Sequence, residues 1–273
     1  MNSLAVLIPT KDRLELLKKA LQSIFNQTQN PDEIIVINDG STDKTDEYLE
    51  NLKKDHGNLK VINRDKNGGV NTARNQGIKI AISQWIAFLD DDDEFVPDAV
   101  KIIKEKISIL PETYGVAYFN SEIHRDQETF IGGFQFDRLK NQDMEFYDPT
   151  YQESMTKFNL KGDCKQVLRR SLFENNKYQF PESVNGYESY TMNLLARDGV
   201  GIRYFPQVLT IIHQESAVPD RLSIEAPRKN SWPLFVLHFK QLFQHWKFYI
   251  WHPLILLKKK LTMTKLLVRT LLT

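Results

Sequence analysis

Apolar residues in the first hundred positions come in short unbroken runs, separated by stretches where they recur every three or four places. The runs at 4–8, 33–38, 59–63 and 85–89 read as buried strands. Between them, Leu14, Leu17, Leu21, Ile24 and Phe25 fall at helical spacing, and a second helical stretch covers 72–82 after the turn Asn67-Gly68-Gly69. Pro97 marks the first turn of a further helix. This alternation predicts an α/β fold with a mostly parallel central sheet and helices on both faces. In such sheets ligands bind beyond the carboxyl ends of the strands. Thr10, Asp39 and the run Asp90-Asp91-Asp92-Asp93 all fall at such ends.

The pattern changes from Tyr114 onward. Weak alternation at 114–121, a glycine-interrupted segment at 130–136, and short apolar stretches at 164–168 and 203–213 predict strands with longer connections. Residues 187–197 read as a helix. From Ser231 the pattern changes again. Phe235, Phe239, Leu242, Trp246 and Ile250 recur at helical spacing, and after Pro253 a second helical stretch sets Leu254, Leu257, Leu261 and Val268 among lysines.

Charge sharpens that last boundary. The formal net charge is +1, yet no Asp or Glu follows Glu225. Nine Lys and Arg lie from Arg228 to the end, which leaves 27 basic against 35 acidic residues before it. A basic helical tail with aromatic faces suits an anionic membrane surface; it can also pack on the main domain with its basic face in water. The acidic remainder would repel phosphates and argues against nucleic acid. No apolar run is long enough to span a bilayer, and residues 1–13 lack the charged start and apolar core of an export signal, so a cytoplasmic chain, peripheral at the inner face of the membrane, is expected. The single cysteine, Cys164, is expected in the core or a substrate wall.

Four adjacent aspartates repel one another unless a cation neutralises them, and hard cations such as Mg²⁺ or Mn²⁺ take carboxylate oxygens and bridge to phosphates. The segments Ala5-Val6-Leu7-Ile8-Pro9-Thr10-Lys11-Asp12-Arg13, Ile35-Val36-Ile37-Asn38-Asp39-Gly40-Ser41-Thr42-Asp43, Asn67-Gly68-Gly69 with Ala73-Arg74-Asn75-Gln76-Gly77-Ile78, and Phe88-Leu89-Asp90-Asp91-Asp92-Asp93 occur in that order. Together they resemble the family 2 glycosyltransferases, which invert the anomeric centre and use the GT-A fold. The resemblance covers roughly residues 4–215. It implies a nucleotide-sugar half at 1–110 and an acceptor-binding half of the same domain at 111–227, and the helical spacing and basic charge read above leave 228–273 as the helical tail.

Residue roles follow from the resemblance. Thr10, with Pro9, Asp12 and Arg13 beside it, would line the nucleotide pocket. Asp39 would accept a hydrogen bond from the base, as N3–H of uracil would give. Asn67 and Arg74 would face the nucleotide, Asp90 the ribose hydroxyls with Asp91 beside it, and Asp92 the metal. His213 would reach the metal or diphosphate, and Arg221 would cover the diphosphate. Each has an ordinary reading as well: Asp39 can cap a helix, Asn67 can make a turn, and Arg74 can be a solvated helix residue.

The catalytic base is where this chain departs from the family's pattern. A Glu-Asp pair usually opens a helix in the acceptor half. Here the place reads Gly186-Tyr187-Glu188-Ser189-Tyr190, so Glu188 is the nearest carboxylate and Ser189 stands where the aspartate would be. Glu188 is assigned as general base, or else it is a helix-start residue favoured by the dipole. The resemblance implies inverting, metal-dependent transfer of a hexose or N-acetylhexosamine from a UDP-sugar to a saccharide or lipid-linked acceptor in bacterial surface glycan synthesis, with homo-oligomers allowed. A catalytically silent sugar-nucleotide scaffold and a nucleotidyltransferase are the alternatives. The sequence lacks the phosphate loop of an ATPase and the Gly-x-Gly-x-x-Gly of a dinucleotide oxidoreductase.

Overall fold

The computed structural model describes residues 2–139, 144–156, 159–214 and 231–272. Its first half follows the hydrophobic pattern closely. Strand β1 (Leu4–Thr10) leads into helix α1 (Leu14–Phe25), β2 (Glu33–Asn38) into α2 (Thr45–Leu52), and β3 (Leu59–Asn63) into α3 (Val70–Ile80), which precedes β4 (Trp85–Phe88). These strands pair in the order β3-β2-β1-β4, all parallel.

Unbroken apolar runs are what a sheet covered on both faces requires, because successive side chains point to opposite sides. Leu4, Val6 and Ile8 of β1 join Ile34 and Val36 of β2 under α1, with Leu17, Leu21 and Ile24. Ala5, Leu7, Ile35 and Ile37 face the other way, toward Ala73 and Ile78 of α3. The register Thr10↔Asn38 and Asn38↔Asn63 brings the carboxyl ends of the first three strands level.

The second half is mixed. A short strand β5 (Asp93–Phe95) and helix α4 (Ala99–Ser108) precede β6 (Tyr114–Arg125) and β7 (Glu128–Phe134). Helix α5 (Tyr151–Thr156), β8 (Leu160–Lys161), β9 (Lys165–Arg169), α6 (Ser189–Arg197) and β10 (Gly201–His213) follow. The sheet continues as β4-β9-β6-β10-β5. Strand β9 is antiparallel to both β4 and β6, whereas β6 and β10 are parallel. Parallel pairing therefore joins the four strands of the first half and the β6–β10 pair of the second. Strand β5 escaped the sequence reading because Asp93-Glu94-Phe95 looks like part of a polar loop; its pairing comes from β10.

Helix α6 starts at Ser189, two residues later than its periodicity suggested. Gly186 and Tyr187 both take left-handed backbone angles, with φ of 74° and 68°, which a helix cannot contain. The tail holds three helices, α7 (Ser231–Gln244), α8 (Trp246–Trp251) and α9 (Pro253–Leu272). No helix of the described residues is long and apolar enough to cross a membrane.

The tail buries an unexpected side. The polar positions His238, Gln241 and His245, set apart from the apolar stripe in the sequence, turn toward the main domain, where Gln241 and His245 are buried. Tyr151 of α5 hydrogen-bonds His245 Nδ1 at 2.6 Å. Trp232, Phe239, Phe243, Trp246 and Ile250 face outward.

Helix α3 can lie close on β1 because position 77 is glycine: a Cβ there would sit 2.2 Å from Leu7 Cδ1. Leu7 is fully buried and has no room to move. Gly77→Ala gains about 1 kcal/mol of helix propensity but overpacks the core by about 1–3 kcal/mol. The expected outcome is a net loss of up to roughly 2 kcal/mol in urea unfolding, whereas Gly57→Ala, with no atom within 4 Å of the added methyl, stays within experimental error.

Candidate active site

The site lies where the sheet's carboxyl ends meet the amino end of α3. Leu89 continues β4 alongside β1 by donating its N–H to Leu7 O at 3.1 Å. The aspartate run thus emerges beside Thr10. Thr10 Oγ1 donates to Asp91 Oδ2 at 2.7 Å, and Arg13 Nη1 lies 3.2 Å from both Asp91 Oδ1 and Asp92 Oδ2. Pro9 pairs with Ile37 within the sheet, so its contribution is backbone and shape. Asp12, with φ of 52°, accepts from the Thr42 N–H at 2.6 Å, while its own N–H donates to Ser41 Oγ. It therefore clamps the first two loops to each other.

A second network runs deeper. The buried Arg74 guanidinium forks between Asp90 Oδ1, at 2.8 Å, and the Glu188 carboxylate, which it contacts closely. Lys165 of β9 reaches Asp93 Oδ2 at 2.6 Å and Asp90 Oδ2 at 3.6 Å. Burial opposes ionisation of Asp90, but the Lys165 ammonium and the Arg74 guanidinium overcome it and bring the carboxyl down to about 2. Burial dominates at Asp91 and Asp93, pushing each up to about 6. For Arg74 burial favours the neutral form, yet Asp90 and Glu188 more than restore the charge.

Asp39 is buried at the end of β2 and serves α3 instead of the helix that follows it in sequence. Its oxygens accept from Arg64 Nη1 at 2.8 Å, from the Gly68 N–H at 3.0 Å and from the Gly69 N–H at 2.7 Å. The exposed Asn67 accepts from the Gly69 N–H at 2.9 Å and so makes its own turn. Gly69 has φ of 86°, and a Cβ there would lie 2.2 Å from Asn185 Oδ1. The Asn67-Gly68-Gly69 segment is thereby held between Asp39 and the loop that leads to Glu188.

That loop is fixed by two further residues of α3. Asn71 Nδ2 donates to the carbonyls of Pro181, Val184 and Gly186, at 3.0, 3.0 and 2.7 Å. Asn75 exchanges hydrogen bonds with the backbone of Phe180, both at 2.9 Å. Sequence reasoning missed Asn71, Asn75, Arg64 and Lys165. Asn75 sat inside a quoted motif without a role, and Lys165 carried one usable signal, a lysine two residues from the apolar Val167 and so on the same face of its strand.

Glu188 sits at the N-cap of α6 with its carboxylate turned to Arg74, so the helix-start reading and the functional one describe the same position. His213 Nε2 lies 3.0 Å from Glu94 Oε1, across the β10–β5 pair. Carried one residue beyond Ile212↔Asp93, that register sets His213 opposite Asp92. Arg221 lies outside the described residues. Among the described residues no group of three or more His, Cys, Asp or Glu side chains converges as a ready-made metal cage. A half-exposed Asp92 with His213 across from it fits a divalent cation whose other ligands are phosphate oxygens and water.

Comparison with known proteins places this geometry. A family model described as glycosyl transferase family 2 matches residues 5–175. The GalNAc(5)-diNAcBac-PP-undecaprenol beta-1,3-glucosyltransferase of Campylobacter jejuni is 29% identical over 218 residues, covering 79% of this chain and 67% of that protein. The uncharacterized glycosyltransferase EpsJ of Bacillus subtilis is 26% identical over 244 residues, 88% of this chain and 67% of that one. Among solved structures, S. aureus TarS 1-349 in complex with UDP-GlcNAc superposes with a TM-score of 0.66 at 19% identity, covering 88% of this chain and 66% of that one. The chain thus spans about two thirds of these proteins, and only 16% of an uncharacterized Rickettsia conorii glycosyltransferase that is 42% identical over 101 residues.

The buried fork at Arg74 is the point on which site and fold both lean. Arg74→Leu strands Asp90 and Glu188 without their shared cation, and a loss of roughly 3 kcal/mol is expected in the urea midpoint. Arg74→Lys recovers less than half of it, because one ammonium cannot fork to two carboxylates.

Proposed function

Since this chain belongs to glycosyl transferase family 2, we propose that it transfers a hexose or N-acetylhexosamine, with inversion, from a UDP-sugar to a saccharide or lipid-linked acceptor in bacterial surface glycan synthesis. The observation that carries this reading is the meeting of donor and acceptor halves at one guanidinium: Arg74 ties Asp90, at the end of a donor-half strand, to Glu188, at the head of the acceptor-half helix. Charge supports the donor. Five carboxylates (Asp90 to Asp93 and Glu188) face three cations, Arg13, Arg74 and Lys165. An acidic cleft accepts a diphosphate only with added positive charge, which a divalent ion at Asp92, with His213 opposite, would supply while stabilising the leaving group.

The protein's own groups then act as follows. Thr10 and the Asp39-braced loop shape the nucleotide pocket, and Asp90 offers its carboxylate to the ribose. An acceptor hydroxyl oxygen bonds to the anomeric carbon from the face opposite the diphosphate as the bond to the diphosphate oxygen breaks. Glu188 takes the hydroxyl proton. The Arg74 contact aims that carboxylate.

The tail supports an acceptor held at a membrane. Its exposed stripe of Trp232, Phe239, Phe243, Trp246 and Ile250 continues through Trp251, 80% exposed, and Leu254, 75% exposed. An apolar stripe facing water beside Lys240, Lys247, Lys258, Lys260, Lys265 and Arg269, with no acid among them, matches an anionic lipid interface. The C. jejuni relative's name specifies an undecaprenol-linked substrate, and the TarS complex holds UDP-GlcNAc; both agree with this reading.

Titration calorimetry with UDP, GDP, CDP and ADP in Mn²⁺ and then in EDTA tests the donor half. UDP binding that requires the cation, and that Asp92→Asn weakens at least tenfold, is the expected result; a folded protein that binds no nucleotide overturns the assignment. Sedimentation with vesicles tests the tail separately. Binding to phosphatidylglycerol vesicles, weak on phosphatidylcholine and reduced severalfold by Trp251→Ser with Leu254→Ser, is expected; equal pelleting by both lipids or by neither removes the membrane from the picture.

A further inference from the structure

The residue next to the proposed base is strained, and the tail is what holds it. Tyr187 has φ of 68°, a left-handed backbone that costs a bulky side chain roughly 1 kcal/mol or more and persists where surrounding contacts over-determine it. Its hydroxyl meets three tail groups. His238 Nδ1 lies 2.8 Å away, Gln241 Oε1 lies 3.2 Å away, and Lys259 Nζ donates to it at 3.1 Å. Lys259 also donates to Gln241 Oε1 in a close contact. The cluster therefore joins α7, α9 and the segment before α6 through one phenol.

Lys259 gives protons to Tyr187 and Gln241, and the Tyr187 hydroxyl gives its own to Gln241 Oε1 or to a neutral His238. Burial, with Lys259 beside it, lowers His238 to about 4, so the imidazole stays neutral and able to accept. Burial likewise brings Lys259 down to about 7. No carboxylate of the described residues pairs with this amine; the groups facing it are Tyr187 from the base loop and His238 and Gln241 from α7. A half-buried lysine with no counter-ion is costly to keep, and lipid headgroup binding would be served by any of the exposed lysines nearby. Its position is explained by the phenol it holds.

We propose that the tail is a positioning element of the catalytic site: Lys259, with Gln241 and His238, latches the Tyr187 hydroxyl, fixes the left-handed turn at Gly186-Tyr187 and so holds Glu188 against Arg74. This rests on the glycosyltransferase reading for its consequence in catalysis, but not for the latch itself. Asn71 grips the same turn from the other side through the Gly186 carbonyl, so the base loop is clamped between the donor-half helix and the tail. Engagement of the tail's outer face and the geometry of Glu188 then become linked through one packed unit.

The experiment compares wild type, Lys259→Met, Tyr187→Phe and Gln241→Leu, with Thr262→Ala, an exposed substitution on the same face-length of α9, as control. Three quantities are read: amide hydrogen exchange across residues 186–190, UDP affinity by calorimetry, and kcat with KM for transfer to a soluble saccharide acceptor. The latch predicts at least tenfold faster exchange at 186–190 in all three latch variants, unchanged UDP affinity, and a kcat lowered about tenfold with donor KM held. Met and Leu match the apolar volume of the residues they replace, and three separate variants guard against a single misfolded one. Exchange indistinguishable from wild type in folded Lys259→Met and Tyr187→Phe overturns the latch. Faster exchange with unchanged kcat overturns its part in catalysis. If the wild type binds no UDP and turns over no donor, the glycosyltransferase reading fails, and the exchange data still decide the latch.

Discussion

A guanidinium buried between two carboxylates sets the terms for the rest of this molecule. Arg74 is nearly inaccessible to solvent, and neither Asp90 nor Glu188 can be moved without leaving a charge in the interior uncompensated. The fork demands that β4, α3 and α6 keep a fixed relation. Close approach at Gly77 puts α3 low on β1, which brings Arg74 to the strand ends. Asp39 then fastens the amino end of that helix, and Asn71 and Asn75 carry the same rigidity to the segment ahead of Glu188. One helix thus reads out the position of the first four strands and imposes it on the segment ahead of α6.

The same electrostatics explains why the aspartates behave differently although they are neighbours. Asp90 faces two cations and is held strongly ionised; Asp91 and Asp93, more enclosed, are pulled toward protonation although Arg13 and Lys165 stand against them. Asp92 keeps a partly exposed carboxylate beside Arg13. A run of four identical residues is thereby divided into two partly exposed carboxylates and two buried struts by nothing more than depth and partner.

Much of this was legible in the chain because a doubly covered sheet writes itself as unbroken apolar runs, and sites in such sheets lie at the strand ends. That rule singled out Thr10, Asp39 and the run Asp90 to Asp93 as candidates, and the fold brings them to the strand ends. What stayed hidden depends on tertiary pairing. Lys165 becomes a partner of Asp93 only once β9 inserts between β4 and β6, against the parallel order of the first half. Arg64 and Asp39 lie in different loops and meet through the β2–β3 register. Strand β5 has too few residues to show a period, and the delayed start of α6 follows from backbone angles at Gly186 and Tyr187 that periodicity cannot see.

The tail shows the limit of periodicity most directly. A 3.6-residue repeat reveals that a helix has two faces, but the apolar face is assigned inward only by assumption. Here the assumption holds only in part, because polar and apolar residues share the inner face. Gln241 and His245 go in, hydrogen-bonded to partners the main domain provides, and the tryptophans go out. Such an arrangement is stable in water alone only if the polar contacts are specific enough to outweigh the exposed apolar surface. The hydroxyls of Tyr151 and Tyr187, each aimed at an imidazole of α7 or of the turn that follows it, supply that specificity. Leu237, Phe248, Tyr249 and Leu266 are buried alongside these polar groups, and the inner face ends on the residue beside Glu188. The geometry that holds the tail to the protein is therefore also geometry of the site.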